Sequence, residues 1–185
     1  MPDYVLRVLG PPSVEKKDGG TVEGLSNLLL LLVAYLALHP RPQPRDQVAR
    51  LFWPHRHSLR QLLSRARTRL PGLMEATSDL VGIRHAGLDT DLRALEEAIG
   101  EGSLEQAVAL WKGEFLEGVA RPGSWELEDW MERERARIHR LLETALAHAI
   151  QERLARSRPL DAAELLAGLQ AFPASDNWPS VVPPR

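Results

Sequence analysis

Eleven consecutive apolar residues, Leu28 to Leu38, make the longest hydrophobic run of the chain and constrain its fold most. The run is far short of the roughly 20 residues that cross a bilayer. It also lies too deep in the chain, with no basic leader or small-residue cleavage site before it, to be a secretory signal. The expectation is a buried core helix over about 27–38, capped by Ser26 and stopped by His39-Pro40. A helix that is apolar around its whole circumference must be covered on every side. The flanking sequence has to supply that cover.

Short strands precede it. Tyr4–Leu9 alternates apolar and charged residues, Gly10-Pro11-Pro12 breaks the pattern, and Ser13–Lys16 and Thr21–Glu23 flank the turn Lys17-Asp18-Gly19-Gly20. Two short amphipathic helices follow. One, at about 45–53, places Val48, Leu51 and Phe52 at i, i+3, i+4 and ends before Pro54. The next, at about 57–70, carries Leu59, Leu62, Leu63, Ala66 and Leu70 on one stripe. Pro71-Gly72 ends it, and Leu73–Ala76 and Leu80–Arg84, joined across Thr77-Ser78-Asp79, predict a closing hairpin. Strands, three helices and a hairpin make a winged helix-turn-helix, in which the third helix enters the DNA major groove.

Charge agrees with that use. Arginines 41, 45, 50, 56, 60, 65, 67 and 69 fall within 29 residues opposed only by Asp46, a net of +7 in a chain of formal charge −2. A basic face on consecutive helices neutralises phosphates and releases their counterions. With the apolar stripe inward, Gln61, Ser64 and Thr68 point away from the core with His57 beside them, and these four are the candidates for reading base edges. Arg60 and Arg65 flank that face and Arg67 and Arg69 lie nearer its sides. With Arg45, Arg56 and Arg84 they are the candidate phosphate contacts. His55-Arg56-His57 lacks a nearby carboxylate or cysteine to complete a metal site, and no cofactor is expected.

Residues 92–185 are acidic, with 11 Lys/Arg against 16 Asp/Glu, whereas residues 1–91 hold 12 against 9. The boundary is placed at Gly87–Asp91. Asp91 is expected to cap a helix of about 92–100, and Gly102-Ser103 to start another at 104–112. After the loop Gly113–Gly123 a long helix of about 125–156 places Leu127, Trp130, Met131, Ile138, Leu141, Leu142, Ala145, Leu146 and Ala149 on one side. Its charged run Glu128–Arg140, with the i, i+4 pair Asp129/Arg133, reads as a solvated face. A last helix over about 160–171 completes one tetratricopeptide-like hairpin. Such a hairpin leaves an apolar face at Leu142, Leu146, Leu160, Leu165, Leu166 and Leu169, to be covered by a partner or by the helices at 92–112. Pro173–Arg185 has no apolar period. The expected division is a winged helix over 1–90, an all-α tetratricopeptide-like domain over 91–175 and a flexible tail over 176–185. The fold class is mainly α with small β elements.

Three stretches resemble one known family: Leu31-Leu32-Val33-Ala34-Tyr35-Leu36-Ala37-Leu38-His39-Pro40; Leu51-Phe52-Trp53-Pro54 followed by Ser58-Leu59-Arg60-Gln61-Leu62-Leu63-Ser64-Arg65; and Phe115-Leu116-Glu117-Gly118 with Glu126-Leu127-Glu128-Asp129-Trp130-Met131-Glu132-Arg133-Glu134-Arg135. The chain resembles, over about residues 3–175, the bacterial transcriptional activators typified by the streptomycete antibiotic regulators. The resemblance implies activation of transcription by binding double-stranded promoter repeats and contacting RNA polymerase. It suggests a second copy on the adjacent repeat or a polymerase subunit as partner. The whole-chain numbers fit a cytoplasmic protein, here expected on the nucleoid. The chain has no cysteine, phosphate-binding glycine loop, nucleophile elbow or HExxH, so an enzyme is not expected. The alternative is a protein-interaction adaptor whose winged helix does not bind DNA.

Overall fold

The computed structural model describes residues 2–52, 59–119 and 124–155. Its centre is α1 (Asn27–Ala37), every residue of which from Leu29 to Leu36 is buried. Ser26 starts the helix as expected, its Oγ accepting the Leu29 N–H at 3.3 Å. At the other end His39 donates its Nδ1 proton to the Tyr35 carbonyl at 2.6 Å, and Pro40 follows.

Two three-stranded sheets and the remaining helices cover α1. In the first, β1 (Tyr4–Arg7) pairs antiparallel with β2 (Ser13–Lys16) and parallel with β6 (Leu88–Thr90), in the order β2-β1-β6. The expected strand at Thr21–Glu23 is reduced to a single bridge, Glu15 with Thr21. The second sheet is the wing, where β4 (Met74–Ala76) and β5 (Leu80–Ile83) form the predicted hairpin. It gains an unpredicted third strand, β3 (Gln43–Pro44), on the free edge of β5. Between these lie α2 (Arg45–Phe52) and α3 (Leu59–Arg69); the expected helix positions 53, 57 and 58 lie outside the described residues, and α3 ends one residue before Leu70. Leu59, Leu62, Leu63 and Ala66 are buried on α3, as their spacing requires.

The second half is helical: α4 (Asp91–Gly100), α5 (Leu104–Leu110) and the long α6 (Trp125–Ala155). Ser124 starts α6, its Oγ accepting the Leu127 N–H at 3.2 Å. The expected helix at 160–171 and the tail lie outside the described residues. One apolar cluster extends from Tyr4 to Leu142 without a break at the charge boundary. Trp130 of α6 meets Tyr35 of α1 edge-on, with ring centroids 5.1 Å apart, and Phe115 of the loop before α6 at 5.8 Å. Tyr35 also meets Phe52 of α2 at 5.7 Å. The helical half therefore completes the cover of α1.

Two expectations for this half are corrected, and a third, left open between two covers, is narrowed. Asp91 is not the cap of α4. Thr90 is, its hydroxyl oxygen accepting the Arg93 N–H at 3.0 Å, while the buried Asp91 carboxylate turns to the backbone of Val8 and Leu9. The run Glu128–Arg140 is not merely solvated. Asp129 and Arg133 do pair on the surface at 3.1 Å, but Arg135 donates to the Phe115 carbonyl at 3.1 Å and Arg137 bridges Glu96 of α4 and Glu134. Leu142 and Leu146, expected to be covered either by a partner or by the helices at 92–112, are buried within the chain. Leu146 and Ala149 pack with Leu104 of α5 in a second small cluster.

Candidate nucleic-acid interface

With its apolar stripe against the core, α3 turns Arg60, Gln61, Ser64, Arg65, Arg67, Thr68 and Arg69 outward, and all seven are exposed. The two residue types suited to base edges, Gln61 and Ser64, are thus on one face with arginines around them. Thr68 lies one turn beyond Ser64 and donates its hydroxyl proton to the Ser64 carbonyl at 3.1 Å. Toward a base Thr68 therefore offers an acceptor and a methyl group and no hydrogen-bond donor. His57 and Arg56 lie outside the described residues.

The arginines differ in what they hold. Arg60 and Arg65 make no hydrogen bond or ion pair to another described residue. Arg45 at the start of α2 donates to the Thr77 carbonyl at 2.8 Å, Arg67 to the Ala76 carbonyl at 3.5 Å, and Arg69 to the Glu23 carbonyl at 3.5 Å. Arg50 pairs with Asp46 one turn back at 3.1 Å. Arg84, at the end of β5 away from the wing tip, is bound to Asp3 at 2.8 Å. Its guanidinium also packs against Gly87, a tie between the chain start and the segment after the wing. The tip itself carries exposed Glu75 and Asp79, so the basic surface is α3 and its flanks, not the wing tip. None of these side-chain-to-carbonyl bonds is encoded in a local pattern, because the partners stand 9 to 46 residues apart.

Arg65 and Arg69 line a cavity of about 250 Å³ with Gly24, Ser26 and Leu29. A larger one, of about 610 Å³, opens between the end of α1, α4 and α6. Arg137 crosses it, at 2.6 Å from Glu96 and 2.8 Å from Glu134, and Arg93 pairs with Glu97 on its rim. Among the described residues no group of three His, Asp or Glu side chains is placed to hold a metal ion, and no helix is long and apolar enough to cross a membrane.

The chain thus joins a winged helix-turn-helix with a basic third helix to an all-α half. The family model of the bacterial transcriptional activator domain matches residues 84–178, and the chain belongs to that family of transcriptional activators. A solved structure, Mycobacterium tuberculosis EmbR in complex with low affinity phosphopeptide, shares the fold at a TM-score of 0.52 and 17% identity. The alignment covers 92% of this chain and 57% of that one, so this chain spans little more than half of its neighbour. Comparison with curated proteins finds no match.

Proposed function

We propose that the chain regulates transcription by binding double-stranded promoter DNA sequence-specifically, with α3 in the major groove. The observation that carries this reading is the outward face of α3, where Gln61 and Ser64 lie exposed between Arg60 and Arg65, two guanidiniums without a protein partner among the described residues. Gln pairs in bidentate fashion with adenine, Ser accepts or donates, and exposed guanidiniums close onto phosphates on either side. Residues 1–90 are then the DNA-binding unit and residues 91–175 the helical activator unit. RNA polymerase and a second copy on an adjacent repeat are the partners proposed for the latter, and the protein acts at the nucleoid, without catalysing a reaction. Arg84 is the weakest of the proposed phosphate contacts, since it already holds Asp3.

Selection of bound sequences from random duplex DNA, followed by anisotropy titration over a range of salt, tests this function. Enrichment of a defined site with steep salt dependence is the expected result. No binding to any duplex at low salt would remove the proposal and leave the adaptor alternative.

A further inference from the structure

Three arginines of the basic window, Arg45, Arg67 and Arg69, grip carbonyls on the two loops bordering α3. On one side is the wing turn. Its Thr77 hydroxyl already accepts the amides of Asp79 and Leu80, at 3.3 and 3.0 Å, which makes the turn a stiff unit. Arg45 seizes this unit twice, through its backbone N–H to the Asp79 carbonyl and through its guanidinium to the Thr77 carbonyl, both at 2.8 Å. Arg67 reaches the adjacent Ala76 carbonyl from α3 at a longer 3.5 Å. The wing turn is thus held from both helices of the helix-turn-helix. On the other side Arg69 lies over Gly24, with guanidinium atoms 3.1–3.3 Å from where a Cβ would stand, and donates to the Glu23 carbonyl. Gly24 has φ +73°, so both its backbone and the guanidinium above it favour glycine there.

We propose that Arg45, Arg67 and Arg69 are positioning residues that fix these two loops relative to α3, while Arg60 and Arg65 supply the phosphate contacts. The inference rests on α3 being the DNA-binding helix. A planar guanidinium with five donors holds a carbonyl in a defined direction, as a lysine ammonium does not. Contacts made by loops are only as accurate as the shell that supports them. A charge engaged this way raises the basic count of the sequence without adding a released counterion at a phosphate.

The test compares Arg45→Met and Arg69→Met with Arg60→Met in the full chain, on a duplex selected by the unaltered protein. Three quantities are read: the salt slope, the base preference on reselection, and amide exchange at 23–26 and 76–80. Arg60→Met is expected to lower the slope of log K against log salt by about 0.9, with exchange and preference unchanged. Arg45→Met and Arg69→Met should leave the slope nearly intact and speed exchange in the loop each one grips. They should weaken binding about tenfold, the equivalent of one good side-chain hydrogen bond, and widen preference at the flanks of the site. A slope reduced by about 0.9 with unaltered exchange would make them ordinary phosphate contacts and overturn the proposal. Faster exchange with unchanged affinity and preference would overturn it too, leaving a purely structural role. If the unaltered chain selects no duplex, it is the DNA-binding function that fails, and the assignment falls with it.

Discussion

The carboxylate of Asp91 accepts the backbone N–H of Val8 with both oxygens, at 2.9 and 3.1 Å, across 83 positions of sequence. The Leu9 N–H joins it at 3.2 Å. These two amides lie beyond the end of β1, where no strand pairs them, and both residues are buried. The first residue of the acidic half therefore satisfies the last unpaired donors of the N-terminal sheet. Replacing Asp91 with Ala leaves two buried donors without an acceptor, and a loss of roughly 1–3 kcal/mol per donor is expected in urea unfolding. A melting curve unchanged by the substitution would show that water reaches those amides.

Burial pushes the Asp91 carboxyl above its ordinary value, against the opposing pull of the Val8 and Leu9 amides and of Arg7. The folded state consequently holds the proton more tightly than the unfolded one. Stability from this group is then fully present below the unfolded carboxylate value and is lost as pH rises through the folded one. The advantage of the unaltered protein over Asp91→Asn should be larger at about pH 4 than at about pH 7, measured by thermal melting of both. A difference that grows with pH would reverse the sign of the shift.

Ending the chain after Gly87 removes β6, Asp91 and the residues Phe115, Leu116 and Trp130 that close over α1. Phe115 and Leu116 are at 0% exposure, and the loop that carries them is bonded to the N-terminal segment, Leu116 N–H to the Val8 carbonyl at 2.8 Å. The fragment 1–87 is expected to lack a cooperative thermal transition by circular dichroism. A sharp, reversible transition would mean that the winged helix closes its core alone.

What was legible in the sequence followed the range of the interactions that set it. The α3 stripe could be read because Leu59, Leu62, Leu63 and Ala66 recur at the helical period, which is local information. The strand β3 could not, being two residues long, including Pro44, and pairing with β5 more than 30 positions away. The strand β6 is three residues whose parallel partner is β1, over 80 positions away. Sequence does not separate Asp91 from Thr90 as the cap, because both are cap-forming types. The choice between them is made by Val8 and Leu9, which no window around residue 91 contains. The arginine window showed the charge but not its allocation, since whether a guanidinium meets a loop carbonyl or solvent is decided by tertiary folding.

Leu146 of α6 and Leu104 of α5 lie in one small buried cluster, so among the described residues α5 covers that part of the face. Truncating Leu146 to Ala should cost about 2–3 kcal/mol, the low end for a buried leucine because the cluster is small. Leu104→Asp should go further, uncovering the face and raising the apparent mass in light scattering as chains associate through it. An unaltered mass would mean that the face stays shielded when the α5 contact is disrupted.

On α3, Gln61, Ser64 and Thr68 make separable predictions. Gln61→Ala should relax the preference at one base position, at roughly 1–3 kcal/mol on the preferred site, without altering the salt slope. Ser64→Ala should have a smaller effect, because a hydroxyl both donates and accepts and discriminates poorly. Thr68 already donates its proton to Ser64, so Thr68→Val, which keeps the methyl and drops the hydroxyl, should retain most of the affinity if the contact is to a thymine methyl. Should Thr68→Val instead lose as much as Gln61→Ala on the selected duplex, the Thr68 oxygen would be an acceptor for a base amino group, and the site should then carry adenine or cytosine there. Reselection with the Thr68→Val protein distinguishes the two, since only the second case predicts that this base preference disappears.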